Sequence, residues 1–340
     1  MRVTAVLVAY NRRELLLESL AALAAQTRPV DRLVVVDNAS DDGSAEAALE
    51  ATESWGERAR VIQLTDNTGG AGGFAVGIAA AVAEDDTDWV WVMDDDTVPG
   101  PEALEGALAA HERYVELGPD DLAVMGSRVV WTDGEDHPMN TPKPKIRASD
   151  AERERAAAVG GLEIRSISFV SAFLRAARVR ELGLPLAAYF LWNDDFEYSA
   201  RLLRGARGLY VPGSVVMHKT AKRGSSDADP GPRFFFEVRN KLWVFRRSNA
   251  LYWWEKVLYS GASVRRWVRT FKASDDRAQL RDCLRRGWRE GWTKNPKATH
   301  RVLRDAGVPV DIMVSVEKLS KLDRREAKQR DSAARSSSQK

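Results

Sequence analysis

In the first hundred residues, short apolar runs alternate with segments of helical periodicity. No other feature constrains the fold as strongly. Residues 3–9, 33–36, 60–64 and 89–93 read as strands. Between them, 12–26 reads as a helix with Leu15, Leu16, Leu20 and Leu23 on one face, and 44–55 and 71–83 read as two more. Strand–helix repeats of this length imply parallel strands with right-handed crossovers. The expected class is α/β: a mostly parallel sheet with flanking helices, followed by a C-terminal helical region.

The rest of the chain is less regular. Residues 101–117 read as a helix and 122–131 as a strand. A loop and a short charged helix fill 132–161, then come a strand at 164–170 and helices at 176–182 and 196–203. Short strands are expected at 208–211 and 215–217. This divides the chain into a catalytic body over 1–220, a Gly/Ser/Asp/Pro loop over 221–232 expected to be mobile, and a basic aromatic helical region over 233–310. A charged tail over 311–340 is expected to be disordered at its end.

At 340 residues the chain can bury a large core. Its one cysteine, Cys283, excludes an internal disulfide and any multi-cysteine zinc site, and suits a reducing compartment. The first apolar run is a short strand without a cleavage pattern, so no signal peptide is expected. No stretch approaches the ~20 apolar residues of a spanning helix. The net charge of +2 hides an asymmetry: 1–232 carry 24 basic against 37 acidic residues, a balance of −13, and 233–340 carry 27 against 12, a balance of +15.

Every early strand ends in a polar or Gly-rich turn: Tyr10-Asn11-Arg12, then 37–43, then 66–73, then Asp94-Asp95-Asp96. In a parallel sheet these ends share one edge, where open α/β sheets place their ligands. The apolar run Trp89–Met93 ends in three carboxylates, which repel one another and are best tolerated with a cation. Carboxylate oxygens suit Mg²⁺ or Mn²⁺, which are commonly shared with substrate phosphates. The plainer alternative is an acidic turn before the next helix, started by Pro99 and Pro101. The Gly run at 69–73 follows the third strand, not the first, so it is not a dinucleotide fingerprint; glycine there admits a ligand close to the backbone. A second acidic cluster is Asn193-Asp194-Asp195-Phe196-Glu197, where a carboxylate serves as helix cap, general base or both. His218 follows an apolar strand and becomes a nitrogen ligand only beside an Asp-rich metal site.

Taken in order, Val8-Ala-Tyr-Asn-Arg12, Val34-Val-Val-Asp37-Asn-Ala-Ser40, Asn67-Thr-Gly-Gly-Ala-Gly-Gly-Phe74, Met93-Asp-Asp-Asp96, Asp194-Asp-Phe-Glu197 and His218 resemble family 2 glycosyltransferases of the GT-A fold. Residues 69–74 and 89–96 look most like bacterial galactofuranosyl- and rhamnosyltransferases of cell-wall glycans. Arg233-Phe-Phe-Phe-Glu-Val-Arg-Asn240 resembles the segment those enzymes carry after the catalytic domain. The resemblance implies a metal-dependent inverting transfer of galactofuranose or rhamnose from a UDP- or dTDP-linked donor to a glycan or lipid-linked acceptor. It implies that Asp37 binds the base and that Tyr10, Asn11 and Arg12 line the nucleoside pocket. Asn67, Gly69, Gly70, Asp94 and Asp95 would border the nucleotide-sugar. Asp94, Asp96 and His218 would hold Mn²⁺ or Mg²⁺. Asp195 matches the base, with Asp194 the alternative and Glu197 the acid two places on.

The C-terminal region holds six of the eleven tryptophans, interleaved with Arg and Lys. That pattern fits an anionic membrane surface, at the cytoplasmic face, or a helical cap with solvated arginines. Two other functions compete with this reading. A nucleotidyltransferase carries a Gly-rich basic loop after strand one, which Tyr10–Glu14 lacks. A nucleic-acid-binding module is permitted by the Arg/aromatic interleaving, but the acidic body repels phosphate, so no nucleic acid is expected.

Overall fold

The structure, a computed structural model, describes residues 1–83, 86–220 and 230–320. The expected mobile loop therefore lies outside the described residues over 221–229, as does the tail over 321–340.

Ten strands form one sheet: β1 (Val3–Ala9), β2 (Arg32–Asp37), β3 (Ala59–Gln63), β4 (Trp89–Asp94), β5 (Thr97–Pro99), β6 (Leu122–Val130), β7 (Lys143–Pro144), β8 (Leu162–Ser166), β9 (Ala172–Arg175) and β10 (Arg207–His218). The order is β3-β2-β1-β4-β9-β6-β10-β8-β7, with β5 paired to β10. The long pairings, β3-β2-β1-β4 and β6-β10, are parallel; the shorter β9, β8, β7 and β5 pair antiparallel. The helices are α1 (Arg13–Ala24), α2 (Ser44–Ala51), α3 (Gly69–Ala83), α4 (Ala103–Glu116), α5 (Asp150–Ala158), α6 (Ala176–Leu182), α7 (Asp194–Leu202), α8 (Phe234–Arg247), α9 (Trp253–Ala273), α10 (Arg277–Thr293), α11 (Thr299–Val302) and α12 (Val310–Ser320).

The apolar runs follow from burial on both faces of the sheet. Val6, Val8, Val34, Val36, Val90 and Val92 face α3, while Ala5, Leu7, Leu33, Val35, Trp89 and Trp91 face α1 and α4. Side chains alternate along each strand, so one continuous apolar run feeds two cores.

Several boundaries differ from the sequence expectation. The strand expected at 164–170 ends at Ser166, and a separate strand, β9, inserts between β4 and β6. The two short strands expected at 208–217 are one strand, β10, whose register against β6 shifts between Val211 and Val215. Pro212 lies in that interruption and has no N–H to give the ladder. The helical region runs beyond 310. In α12, Ile312, Val316 and Leu319 recur at helical spacing and are buried against α3.

The C-terminal helices join the body at buried contacts. In α8, Phe234, Val238, Trp243 and Val244 are buried, and Phe235, Phe236 and Phe245 are half-buried, so its aromatic residues pack mainly against protein. By contrast α9 leaves Trp253, Val257, Leu258, Val264 and Val268 exposed.

Candidate functional site

The C-terminal ends of β1, β2 and β4 converge as the parallel sheet requires. Tyr10 donates its backbone N–H to Asp95 Oδ2 at 2.9 Å, and Arg12 pairs with Asp95 (3.4 Å) and Asp96. Ser19 Oγ donates to the Asp95 carbonyl at 2.8 Å. Asp95 is thus consumed in pinning β4 to β1. Asn11, at φ 52°, gives its N–H to Ser40 Oγ and accepts from the Asp41 N–H. Asp37 is fully buried; its Oδ2 accepts from the Ser40 N–H at 3.1 Å, and its Oδ1 has no protein partner. A buried carboxylate oxygen without a partner is costly unless a ligand donates to it.

The Gly run does two different jobs. A Cβ at Gly72, Gly73 or Gly77 would lie within 2.5 Å of Thr68, Val8 or Val6, so these three glycines let α3 lie against its neighbours. Gly69, at φ +70°, meets the backbone of Phe190: a Cβ there would sit 2.0 Å from its carbonyl oxygen. Only Gly70 lines the cleft. Close packing, not ligand approach, therefore explains most of this run. Asn67 accepts from Asn38 Nδ2 and from the Gly69 N–H, ordering the turn that starts α3.

The second convergence is between Asp96 and His218. Strand β5 pairs with the end of β10, setting His218 opposite Thr97. Ligand atoms of Asp94, Asp96 and His218 then lie within 4.8 Å of one another. His218 Nδ1 is 2.9 Å from Asn140 Oδ1, and Nε2 is 3.1 Å from Asp96 Oδ1. An amide oxygen only accepts, so Nδ1 carries the proton when the ring is neutral. The Nε2 lone pair then faces a carboxylate oxygen. Two lone pairs held this way repel unless a proton or cation lies between them, and one imidazole with two carboxylates is a donor set for Mn²⁺ or Mg²⁺. The residues fit such an ion. Asn140, the orienting partner, carries no signal in the sequence. Nor does His137, whose ring lies 4.9 Å from that of His218.

The cluster opens into a cleft of about 480 Å³. Asp94 and His218 line one part of it, Asp194 and Asp195 another, and Glu237, Arg266 and Trp267 come from α8 and α9. The C-terminal helices are therefore walls of the cleft, which the sequence did not reveal. Asp194 and Asp195 open α7. Burial and its neighbour Asp195 push Asp194 up to about 8. Burial also raises Asp195, but the Phe196 N–H at 2.6 Å and the Lys241 ammonium oppose the rise. Two buried carboxylates this close disfavour a double negative charge, so the pair favours holding one proton between them. Glu197 does not line this cleft. Its carboxylate is taken by Arg201 (3.1 Å) and by the Ser248 hydroxyl (2.6 Å), which anchors α7 to the segment after α8. These contacts give the Glu197 carboxylate a structural part in holding α7 beside the cleft.

Comparison with known proteins agrees with this geometry. Residues 4–177 match the family described as "Glycosyl transferase family 2". Galactofuranosyltransferase GlfT1 of Mycobacterium tuberculosis is 33% identical over 263 residues, covering 71% of this chain and 81% of that protein. GlfT1 of Mycolicibacterium smegmatis is 32% identical over 214 residues, covering 59% and 65%. Among solved structures, S. aureus TarS 1-349 in complex with UDP superposes with a TM-score of 0.60 at 14% identity, over 97% of this chain and 92% of that one. GalNAc-T7 with UDP, GalNAc and Mn2+ superposes with a TM-score of 0.57 at 14% identity, over 91% and 58%. These likenesses identify the fold as GT-A, and with the family match over more than half of its length the chain belongs to glycosyltransferase family 2.

Proposed function

We propose that the protein is a metal-dependent inverting galactofuranosyltransferase, taking its sugar from a UDP-linked donor. The carrying observation is that one cleft is lined by the Asp94–His218 cluster and by the Asp194–Asp195 pair. The relatives named as galactofuranosyltransferases favour galactofuranose over rhamnose, and the UDP and UDP-GlcNAc complexes of a structural neighbour support a UDP donor. A divalent cation held by Asp94, Asp96 and His218 would neutralise charge on the departing diphosphate. The partnerless Oδ1 of Asp37 accepts a hydrogen bond from the base. Tyr10, Asn11 and Arg12 border the nucleoside, and the turn from Asn67 to Gly70, through Gly70, the donor's sugar side. Asp195 takes the proton of the attacking hydroxyl, its charged form being supported by the Phe196 N–H and the Lys241 ammonium. One carboxylate base and a single displacement invert the anomeric carbon. The test is a thermal shift with UDP-sugars, with and without Mn²⁺, followed by turnover of Asp195→Asn. Equal shifts with and without metal, or an active Asp195→Asn, would sink this reading.

The acceptor is read as a lipid-linked glycan at the cytoplasmic membrane face. The exposed stripe of Trp253, Val257, Val264 and Val268 on α9 supports it, beside exposed Arg265 and Lys272. The only acidic residue of α9, Glu255, is buried. The opposite face of α9 contributes Arg266, Trp267 and Thr270 to the cleft. Among the described residues no helix is long and apolar enough to cross a membrane, so contact would be peripheral. Part of α8 is buried, so the membrane surface is read on α9 and on α10, whose Trp288 and Trp292 are also exposed. Vesicles graded in anionic lipid should retain the protein at low salt, and Val257→Ser/Val264→Ser should weaken retention. Self-association without retention would assign the stripe to a second copy instead.

A further inference from the structure

The Asp194–Asp195 pair is preceded by a turn in an unusual backbone state. Phe190 (φ 63°), Trp192 (φ 64°) and Asn193 (φ 66°) all lie at positive φ, and none is glycine. Bulky residues rarely adopt this conformation, and they persist in it only where surrounding structure over-determines them. The surrounding structure here is α8.

Three neighbouring side chains of α8 hold the turn. Asn240 is fully buried, and its Nδ2 lies 2.9, 2.9 and 2.8 Å from the carbonyl oxygens of Tyr189, Leu191 and Trp192. Its Oδ1 accepts from Arg239 Nε at 3.0 Å, which fixes the amide's orientation. Arg239 Nη2 also donates to the carbonyls of Ala188 and Tyr189, at 3.0 Å each. Glu237 Oε2 accepts from Asn193 Nδ2 at 2.8 Å, and Glu237 is itself held by Trp267 Nε1 at 3.1 Å and by Arg266. From the other side, the Phe190 carbonyl accepts from the Ala71 N–H at 3.2 Å, over the glycine at 69. The ring of Phe190 stacks on Phe236 at 5.3 Å.

We propose that α8 is a clamp that sets the position of the base, with Asn240 as its central positioning residue. Asp194 and Asp195 start α7 directly after the clamped turn, so the turn fixes where both carboxylates project into the cleft. The carbonyls Asn240 holds belong to the turn, and Asn240 is not among the cleft residues. Its effect is therefore on transfer and not on donor binding. The Arg266–Glu237–Asn193 contacts extend the clamp to α9. The proposal rests on the reading of Asp194 and Asp195 as the base pair.

Asn240→Asp tests it. The side chain keeps its shape but turns acceptor oxygens toward three carbonyls. With folding checked by circular dichroism and melting, UDP/Mn²⁺ binding and the donor KM should stay within about twofold. The kcat, read as UDP release from UDP-galactofuranose, should fall about 100-fold, the scale of a misplaced reacting group. Adding Phe190→Gly, at the positive-φ position that does not line the cleft, to Asn240→Asp should recover at least tenfold of kcat, because glycine holds positive φ without the clamp. If Asn240→Asp does not fold, Arg239→Lys decides: loss of kcat at constant KM supports the clamp. A folded variant with normal kcat, or with raised donor KM and intact kcat, overturns it. Asp195→Asn is measured alongside. If it is active while Asn240→Asp is dead, the base assignment falls; if it is dead while Asn240→Asp is normal, the clamp alone falls.

Discussion

Glu255→Ala should destabilise the whole protein, because one buried ion pair bolts the C-terminal helices to the sheet. Arg165 on β8 and Glu255 in the first turn of α9 are 4% and 3% exposed. The guanidinium makes two bonds to the carboxylate, at 2.7 and 3.0 Å, and also donates to the carbonyls of Ala200 (2.6 Å) and Ala250. Glu255 further accepts from the Tyr252 N–H at 2.9 Å and so caps α9. Removing one partner of a buried pair costs about 3–5 kcal/mol, because the other charge is left uncompensated. Unfolding entropy of about 2.1 cal/mol/K per residue amounts to roughly 0.7 kcal/mol/K for this chain, so the melting temperature should fall by roughly 4–7 °C. Replacing both partners, as Arg165→Met/Glu255→Leu, should cost much less than the two single changes together, since no charge is stranded. Differential scanning calorimetry on the three variants is the assay. Two outcomes would refute the reasoning. One is a Glu255→Ala melt within about 1 °C of wild type. The other is two separate transitions of which only one moves, which would make residues 1–220 and the C-terminal helices independent units.

Three further outcomes follow from the site. Asn140→Leu removes the acceptor that orients His218, so Mn²⁺ affinity by calorimetry should fall about 10–100-fold while metal-free stability changes little; unchanged affinity would free His218 from that role. Asp194, raised to about 8 by burial and by Asp195, carries a cost that grows as pH rises from its unfolded value of about 4 and levels off above about 8. Without added metal, the stability of Asp194→Asn relative to wild type should therefore improve over that window and stay constant beyond it; a pH-independent difference contradicts the shift. Gly77→Ala would place a Cβ 2.3 Å from Val6 Cγ1 and 3.2 Å from Val36 Cγ2. Overpacking of about 1–3 kcal/mol should outweigh the ~1 kcal/mol helical gain, and Val6→Ala in the same chain should restore much of the loss in denaturant midpoint.

Much of this protein was legible in its residues. The strand–helix alternation fixed the parallel order of the first strands, because apolar runs of that length can be buried only between two helical layers. The polar ends of those strands had to meet on one edge, so Asp37 and Asp94–Asp96 could be placed together before any coordinates. Local sequence could not show what depends on contacts between distant segments. Strand β9 is too short to announce itself and exists because β4 and β6 both offer it unpaired edges. The Gly run reads as a ligand loop, and becomes mostly close packing once Val8 and the Phe190 backbone stand against it. Glu197 shared a motif with Asp194 and Asp195, but its carboxylate is taken by Arg201 and Ser248, which are distant or unremarkable in the sequence. The aromatic and basic residues after 233 gave one undivided pattern in the sequence. Tertiary packing split it into a buried clamp on α8, a cleft wall shared by α8 and α9, and an exposed stripe on α9, because only packing decides which face of a helix meets protein and which meets solvent.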